Sequence, residues 1–80
     1  MQKGLADIEA ELVQRIYSLF MKKYNGNKSE LARAANCRES TIRRIFRNEQ
    51  GITINLLLRI ASALDIEVSE LLKGLDLRND

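Results

Sequence analysis

The sequence lacks most of the side chains on which enzymes and metal sites depend. Its 80 residues include no histidine, no tryptophan, no proline and a single cysteine, Cys37. Without histidine, the commonest general base and a frequent zinc ligand are both missing. One cysteine excludes an intrachain disulfide, which fits a reducing, cytoplasmic setting. We therefore expect no enzyme, and no cofactor, metal or small-molecule ligand.

Long apolar runs are also missing. Asp7, Glu9 and Glu11 interrupt the apolar residues near the start, so we expect neither a signal peptide nor a membrane-spanning segment. The absence of proline favours helices, because proline breaks a helix interior. A chain of 80 residues is long enough for one domain. We expect a single all-α domain with its core at about 6–74 and a short tail at 75–80.

The spacing of apolar residues predicts five helices joined by short connections. Their expected ranges are about 6–24, 28–35, 39–47, 54–64 and 68–73. Asn27 and Thr53 are suited to cap the second and fourth helices, because their side chains accept hydrogen bonds from free backbone amides. The residues expected to turn the chain between helices are Asn25-Gly26, Asn36, Gly51, Asp65 and Gly74.

Helix 1 carries more apolar residues than a single core face needs. Helix 1 has one stripe of Ile8, Leu12, Ile16 and Leu19 and a second stripe of Val13, Tyr17, Phe20 and Tyr24. The surplus would either cover a partner subunit or lie within a tightly wrapped monomer. For helix 4 we expect an inner face of Ile54, Leu57, Leu58, Ile60, Ala61 and Leu64. Cys37 is expected to be a small buried residue, with a redox sensor as the alternative.

The basic residues are concentrated in the middle of the chain. Residues 22–47 hold eight of the 13 Lys and Arg residues and only two acids, a net charge of +6, whereas the whole chain carries +2. Residues 1–21 sum to −1 and residues 48–80 to −3. Such an uneven distribution predicts a protein that presents one face to a polyanion.

Residues 27–47 have the organisation of a helix-turn-helix: two short amphipathic segments joined by a tight turn. In such a motif the first helix crosses the DNA backbone and the second enters the major groove. The free amides at the start of helix 2, with the charge of Lys28, would then face a phosphate. On helix 3, the side chains expected to reach base edges are Glu39, Ser40, Arg43 and Arg44, and Arg47 is expected to meet phosphate.

Residues 27–72 resemble the Cro/cI-type helix-turn-helix family, also called the XRE family. The resemblance lies in SELARAANCRESTIRRI and in ITINLLLRIASALDIEVSELL, above all in Arg59–Ile66 followed by Glu70-Leu71-Leu72. It implies a lambda-repressor-like five-helix fold and a DNA-binding transcriptional regulator, usually a homodimer on a palindromic operator. Controller proteins of restriction–modification systems, short phage repressors and antitoxins are similar.

The resemblance also assigns positions to roles. Asn27 and Lys28 match phosphate contacts of the family, and Glu39, Ser40 and Arg44 match positions that commonly read bases. We expect Arg38 and Gln50 to contact phosphate as well.

The sequence departs from the family pattern at several places. Asn36 and Asn48 stand where the family usually has glycine, and Lys28 stands where it often has glutamine. Arg38 replaces the usual Ser or Thr cap of helix 3, and Phe46 replaces a frequent glutamate.

Other interpretations remain open at this point. The main alternative is a protein-interaction module, an antitoxin or adaptor on the same scaffold. A Fis-like end domain is suggested by YNGNKSELAR at 24–33, but that fold ends soon after its recognition helix, so helices 4 and 5 argue against it. If the protein dimerises, we expect the contact at helix 5, at the Leu75/Leu77 tail, or on the surplus face of helix 1.

Overall fold

The computed structural model describes residues 5–75, which form five helices and no strand. The helices are α1 (Leu5–Tyr24), α2 (Lys28–Ala34), α3 (Glu39–Phe46), α4 (Ile54–Ala63) and α5 (Val68–Leu72). Each agrees with its predicted range to within a residue at either end, and the predicted all-α helix-turn-helix fold is confirmed. No helix within residues 5–75 combines the length and apolar character needed to cross a bilayer.

The two predicted N-caps are confirmed. The side chain of Asn27 accepts a hydrogen bond from the Glu30 amide at 3.1 Å, and Thr53 Oγ1 accepts one from the Leu56 amide at 3.1 Å. Each bond satisfies a backbone donor that the first helical turn leaves free. Arg38 precedes α3 without any side-chain cap.

A residue with a left-handed backbone follows each of the first four helices. These residues are Asn25, Asn36, Asn48 and Asp65, with φ between 54° and 58°. Asn and Asp tolerate this conformation better than other non-glycine residues, so they end helices where glycine would otherwise be expected. Gly51 was predicted to turn the chain after α3, but it has no positive φ, and Asn48 makes that turn instead.

The core is built around α1. Ile16 and Phe20 are completely buried, and side chains from every other helix pack around them. The fully buried large side chains that join them are Leu31, Ile42, Ile45, Ile60 and Leu71. Because α2 and α3 each bury one face in this core, their opposite faces are held outward.

The predicted inner face of α4 is partly wrong. Ile54 is 79% exposed and Leu58 is 52% exposed, whereas Leu56 is buried. Apolar residues occupy more than half of the circumference of this helix, so the sequence pattern could not define which of them face inward. Tyr17, in the second apolar stripe of helix 1, is 43% exposed.

Polar contacts fasten the middle and the C-terminal end of α1 to the last two helices. The Arg15 guanidinium donates to the carbonyl oxygens of Leu71 (3.0 Å) and Lys73 near the end of α5. The Tyr24 hydroxyl donates to the carbonyl oxygen of Ala63 at 2.6 Å. The hydroxyl of this half-buried tyrosine is therefore bound to the protein.

Candidate nucleic-acid interface

The turn between α2 and α3 is defined by backbone hydrogen bonds. The Asn36 amide donates to the Arg33 carbonyl oxygen at 3.1 Å, and the Cys37 amide donates to the Ala32 carbonyl oxygen at 2.9 Å. Asn36 has a left-handed backbone. Together with this conformation, the two bonds form the Schellman motif that ends a helix. It fixes the direction in which the chain enters α3.

The outer face of α3 presents a continuous polar surface. Ile42 and Ile45 are buried, which anchors the inner side of the helix. With 3.6 residues per turn, the four exposed residues of the opposite side fall within about 100° of the helix circumference. They are Ser40, Arg43, Arg44 and Arg47. No charged residue is buried within residues 7–75, so all of these guanidinium groups are accessible from outside.

Glu39, at the start of α3, is held by two side chains. It accepts a hydrogen bond from Ser29 Oγ at 2.7 Å and pairs with Arg43 Nη2 at 2.5 Å. The bond from Ser29 and the charges of Arg43 and Lys28 hold the pKa of the Glu39 carboxyl below its ordinary value, against a smaller opposing effect of desolvation. Two predicted base-reading residues, Glu39 and Arg43, therefore lie together.

Arg44 is oriented by the loop after α3. Its Nε donates to Gln50 Oε1 at 2.9 Å. Gln50 was predicted as a phosphate contact. In the free protein its side-chain oxygen, Oε1, accepts the hydrogen bond from Arg44. The amide nitrogen of Gln50 remains the group that would donate to a phosphate oxygen.

The predicted phosphate contacts are distributed around α3. Arg38 and Arg47 are exposed at its two ends, nine positions apart in sequence, or about 14 Å along a helix axis. That distance is close to the width of the major groove, about 12 Å. Lys28 is half-buried at the start of α2. It lies next to Asn27, whose side-chain Oδ1 caps that helix.

Two residues beside this surface face inward. The Phe46 ring lies edge-on to Tyr17 at 5.1 Å and packs against Phe20 at 5.1 Å between ring centroids, so it belongs to the edge of the core. Cys37 was expected to be buried, but it is half-buried and packs against the edge of the core. Partial burial raises the pKa of its thiol despite an opposing effect of Arg59. A thiol with a raised pKa is a poor nucleophile, which favours the structural interpretation of Cys37 over a redox sensor.

Sequence reasoning missed two residues that support this surface, Ser29 and Arg59. Ser29 holds Glu39 across ten positions of sequence. Arg59 Nη1 donates to the Asn36 carbonyl oxygen at 2.6 Å and so ties α4 to the turn. A signal for Arg59 was present, because it is the only charged residue in α4. Ser29 carried no such signal, since its partner is apparent only from the packing of α2 against α3.

Comparison with protein families agrees with this geometry. A model of the Cro/C1-type helix-turn-helix DNA-binding domain matches residues 18–74, which is well over half of the chain. No curated protein and no solved structure gives a significant match. The matched segment begins within α1 and includes all of α2, α3, α4 and α5. The chain therefore belongs to the Cro/C1-type helix-turn-helix DNA-binding domain family, and DNA is the partner that this family membership indicates.

Proposed function

We propose that the protein is a sequence-specific regulator of transcription that binds double-stranded DNA with α3 in the major groove. The observation that carries this proposal is the outward placement of Ser40, Arg43, Arg44 and Arg47 on one side of α3. An exposed helix lined with arginine suits a groove lined with guanine acceptors and flanked by phosphates. The function is one of binding, with no catalytic step.

Affinity and selectivity come from different residues. Lys28, Arg38 and Arg47 bind phosphates, with Asn27 and Gln50 donating from their side-chain amides, which gives sequence-independent affinity and a strong dependence on salt. Arg43 and Arg44 pair with O6 and N7 of guanine. Glu39 accepts from an exocyclic amino group, and Ser40 adapts to either kind of edge.

We propose that two copies bind a palindromic operator through a homodimer formed at α4 and α5. Ile54 and Leu58 are exposed one helical turn apart on α4, so they form a raised apolar ridge. Leu58 also lines a groove of about 430 Å³, together with the apolar residues Ala61, Ile66 and Val68 and the polar residues Ser62, Asp65 and Glu67. In a two-fold dimer the ridge of each copy would meet the groove of the other, with the apolar ridge against the apolar part of that lining.

Of the three expected locations of the dimer contact, this proposed interface includes α5. It does not include the Leu75/Leu77 tail or the surplus face of helix 1. Val68 brings in α5, as expected, but the ridge on α4 was predicted to face inward. Leu75 packs against the core, and Leu77 lies outside the described residues. The two recognition helices of such a dimer would lie about 34 Å apart, one turn of DNA.

The same apolar ridge supports a second candidate function. A different protein could occupy Ile54 and Leu58, as in an antitoxin or adaptor built on this scaffold. DNA binding is the better-supported proposal, because the ridge accounts for none of the arginines on α3.

Selection of bound sequences from random duplex DNA, followed by a salt titration on the enriched site, tests the proposal. We expect a palindromic site with half-sites about one helical turn apart. We also expect log K to fall linearly with log salt concentration, because phosphate contacts release counterions. No enrichment, together with no binding to duplex DNA at low salt, would favour the protein-interaction function.

A further inference from the structure

A carboxylate lies at the edge of the basic surface of α3, at the start of the helix. The Glu39 side chain is 36% exposed and that of Arg43 is 57% exposed, so their ion pair is formed at the surface where DNA would bind. Ser29 Oγ, 2.7 Å from the carboxylate, fixes Glu39 from α2. The acid is therefore held at a defined place and is not a mobile surface charge.

Arg43 and Arg44 differ in what holds them. Arg43 is paired with the negative charge of Glu39, whereas within residues 7–75 the side chain that binds Arg44 is the neutral Gln50. For Arg43 to contact DNA with its full charge, the pair must open. Opening leaves a carboxylate beside the polyanion unless Glu39 finds a new donor, because charged groups require compensation when water is excluded.

We propose that Glu39 and Arg43 act as one reading unit that selects a guanine next to a cytosine or adenine. This inference rests on the proposed DNA-binding function. Guanine offers Arg43 two acceptors, O6 and N7, and cytosine N4 or adenine N6 offers Glu39 a donor. On such a step both partners of the opened ion pair are satisfied at once.

The unit also rejects the other bases. Guanine and thymine present acceptor oxygens in the major groove, so at the position read by Glu39 they meet a carboxylate that can only accept. On such sequences the ion pair stays closed, and Arg43 contributes less to binding. Glu39 thus lowers affinity for unrelated DNA as well as favouring the correct step, and specificity arises from both effects.

The test compares Glu39→Gln with Glu30→Gln. Both substitutions remove one negative charge, but Glu30 is exposed on α2 and lies outside the Glu39–Arg43 pair. Dissociation constants are measured for the selected operator, for operators carrying each other base at the cytosine or adenine position, and for random duplex DNA, each over a range of salt. Circular dichroism confirms that both variants are folded.

For Glu39→Gln we expect several-fold tighter binding to random DNA and a salt slope steeper by about 0.9, since Arg43 becomes free to neutralise one more phosphate. We also expect tolerance of guanine or thymine at the single position that Glu39 reads, because a carboxamide can donate. Glu30→Gln should keep the base preference and the slope. Ser29→Ala, which removes only the bond that fixes Glu39, should change the preference in the same direction and by less.

Equal effects of Glu39→Gln and Glu30→Gln, with the base preference intact, would overturn the inference and leave the proposed function standing. Failure of the wild-type protein to bind duplex DNA would overturn both. A guanine or thymine selected at that position by the wild type would also contradict the reading unit, whatever the variants do.

Discussion

The guanidinium of Arg59 on α4 donates a hydrogen bond to the backbone carbonyl oxygen of Asn36, at 2.6 Å, in the turn of the helix-turn-helix. The bond connects α4 to the turn that precedes α3, across 23 positions of sequence. Helix α4 therefore helps to set the angle of the recognition helix, in addition to completing the core.

Replacing Arg59 with alanine should lower the free energy of unfolding by about 1 kcal/mol, since the lost bond has a charged donor but is partly exposed to water. Urea denaturation measures this change. Arg33→Ala, at an exposed position on α2, is the matched control and should change stability by less than about 0.5 kcal/mol. An equal effect of the two substitutions would show that the Arg59–Asn36 bond contributes nothing specific.

Asn36 itself should respond to substitution through its backbone. Its φ of 56° lies in the left-handed region, where a side chain with an ordinary Cβ is strained. We expect Asn36→Ala to destabilise the fold by about 1 kcal/mol and Asn36→Gly to leave stability unchanged or higher. Thermal unfolding monitored by circular dichroism compares the two variants. A glycine variant as unstable as the alanine variant would mean that the Asn36 side chain, not its conformation, matters.

Much of this fold follows from local sequence signals. The positions of Asn27 and Thr53 at helix starts, and of Asn25-Gly26 and Asn36 at helix ends, can be predicted because each effect depends on the residue itself. The orientation of α4 could not be predicted in the same way. Its sequence INLLLRIASA is apolar around most of the helix, so the choice of Leu56 over Leu58 for the core depends on how α4 packs against α2 and α5.

The position of the candidate site on the chain can be predicted from the sequence, but the hydrogen bonds between its side chains cannot. The amphipathic pattern of α3 alone predicts arginines on its outer side. The bonds from Ser29 to Glu39 and from Arg44 to Gln50 join residues whose distance depends on tertiary packing and loop shape. The roles of Glu39, Ser40, Arg43 and Arg44 at bases, and of Asn27, Lys28, Arg38, Arg47 and Gln50 at phosphates, remain predictions that DNA-binding measurements must test.

Stability should depend on pH through Asp65. Its carboxylate accepts a hydrogen bond from Lys23 at 2.6 Å, which holds the pKa of Asp65 below its ordinary value of 3.8. Because the unfolded chain then binds protons more readily, this stabilisation is present above about pH 4 and is lost as the pH falls through the folded pKa. Asp65→Asn removes the charge and keeps a residue that tolerates φ of 57°.

Urea denaturation between pH 7 and pH 3 measures this contribution. We expect the wild type to be more stable than Asp65→Asn at neutral pH and the difference to shrink at the acidic end. A difference that stays constant with pH would show that the ion pair has no part in it.

The dimer proposal predicts different outcomes for two apolar residues of similar size. Ile54→Glu places a charge on the ridge and should convert the protein to monomers in sedimentation velocity, with loss of cooperative binding to the full operator. Met21→Glu, at a 41% exposed position on α1, should leave the dimer intact. The reverse result would move the interface to the surplus face of α1. A wild-type protein that stays monomeric at all concentrations, even with operator DNA, would exclude the homodimer altogether.

The most direct test of the account is the affinity of Arg44→Ala for the selected operator and for random duplex DNA, measured beside Arg47→Ala at one salt concentration. Arg44→Ala should cost on the order of 1–3 kcal/mol at the operator and much less on random DNA, because a base contact is lost. Arg47→Ala should weaken binding to both DNAs alike, as expected for a phosphate contact. Equal losses on both DNAs for Arg44→Ala would contradict the claim that the outer face of α3 reads bases.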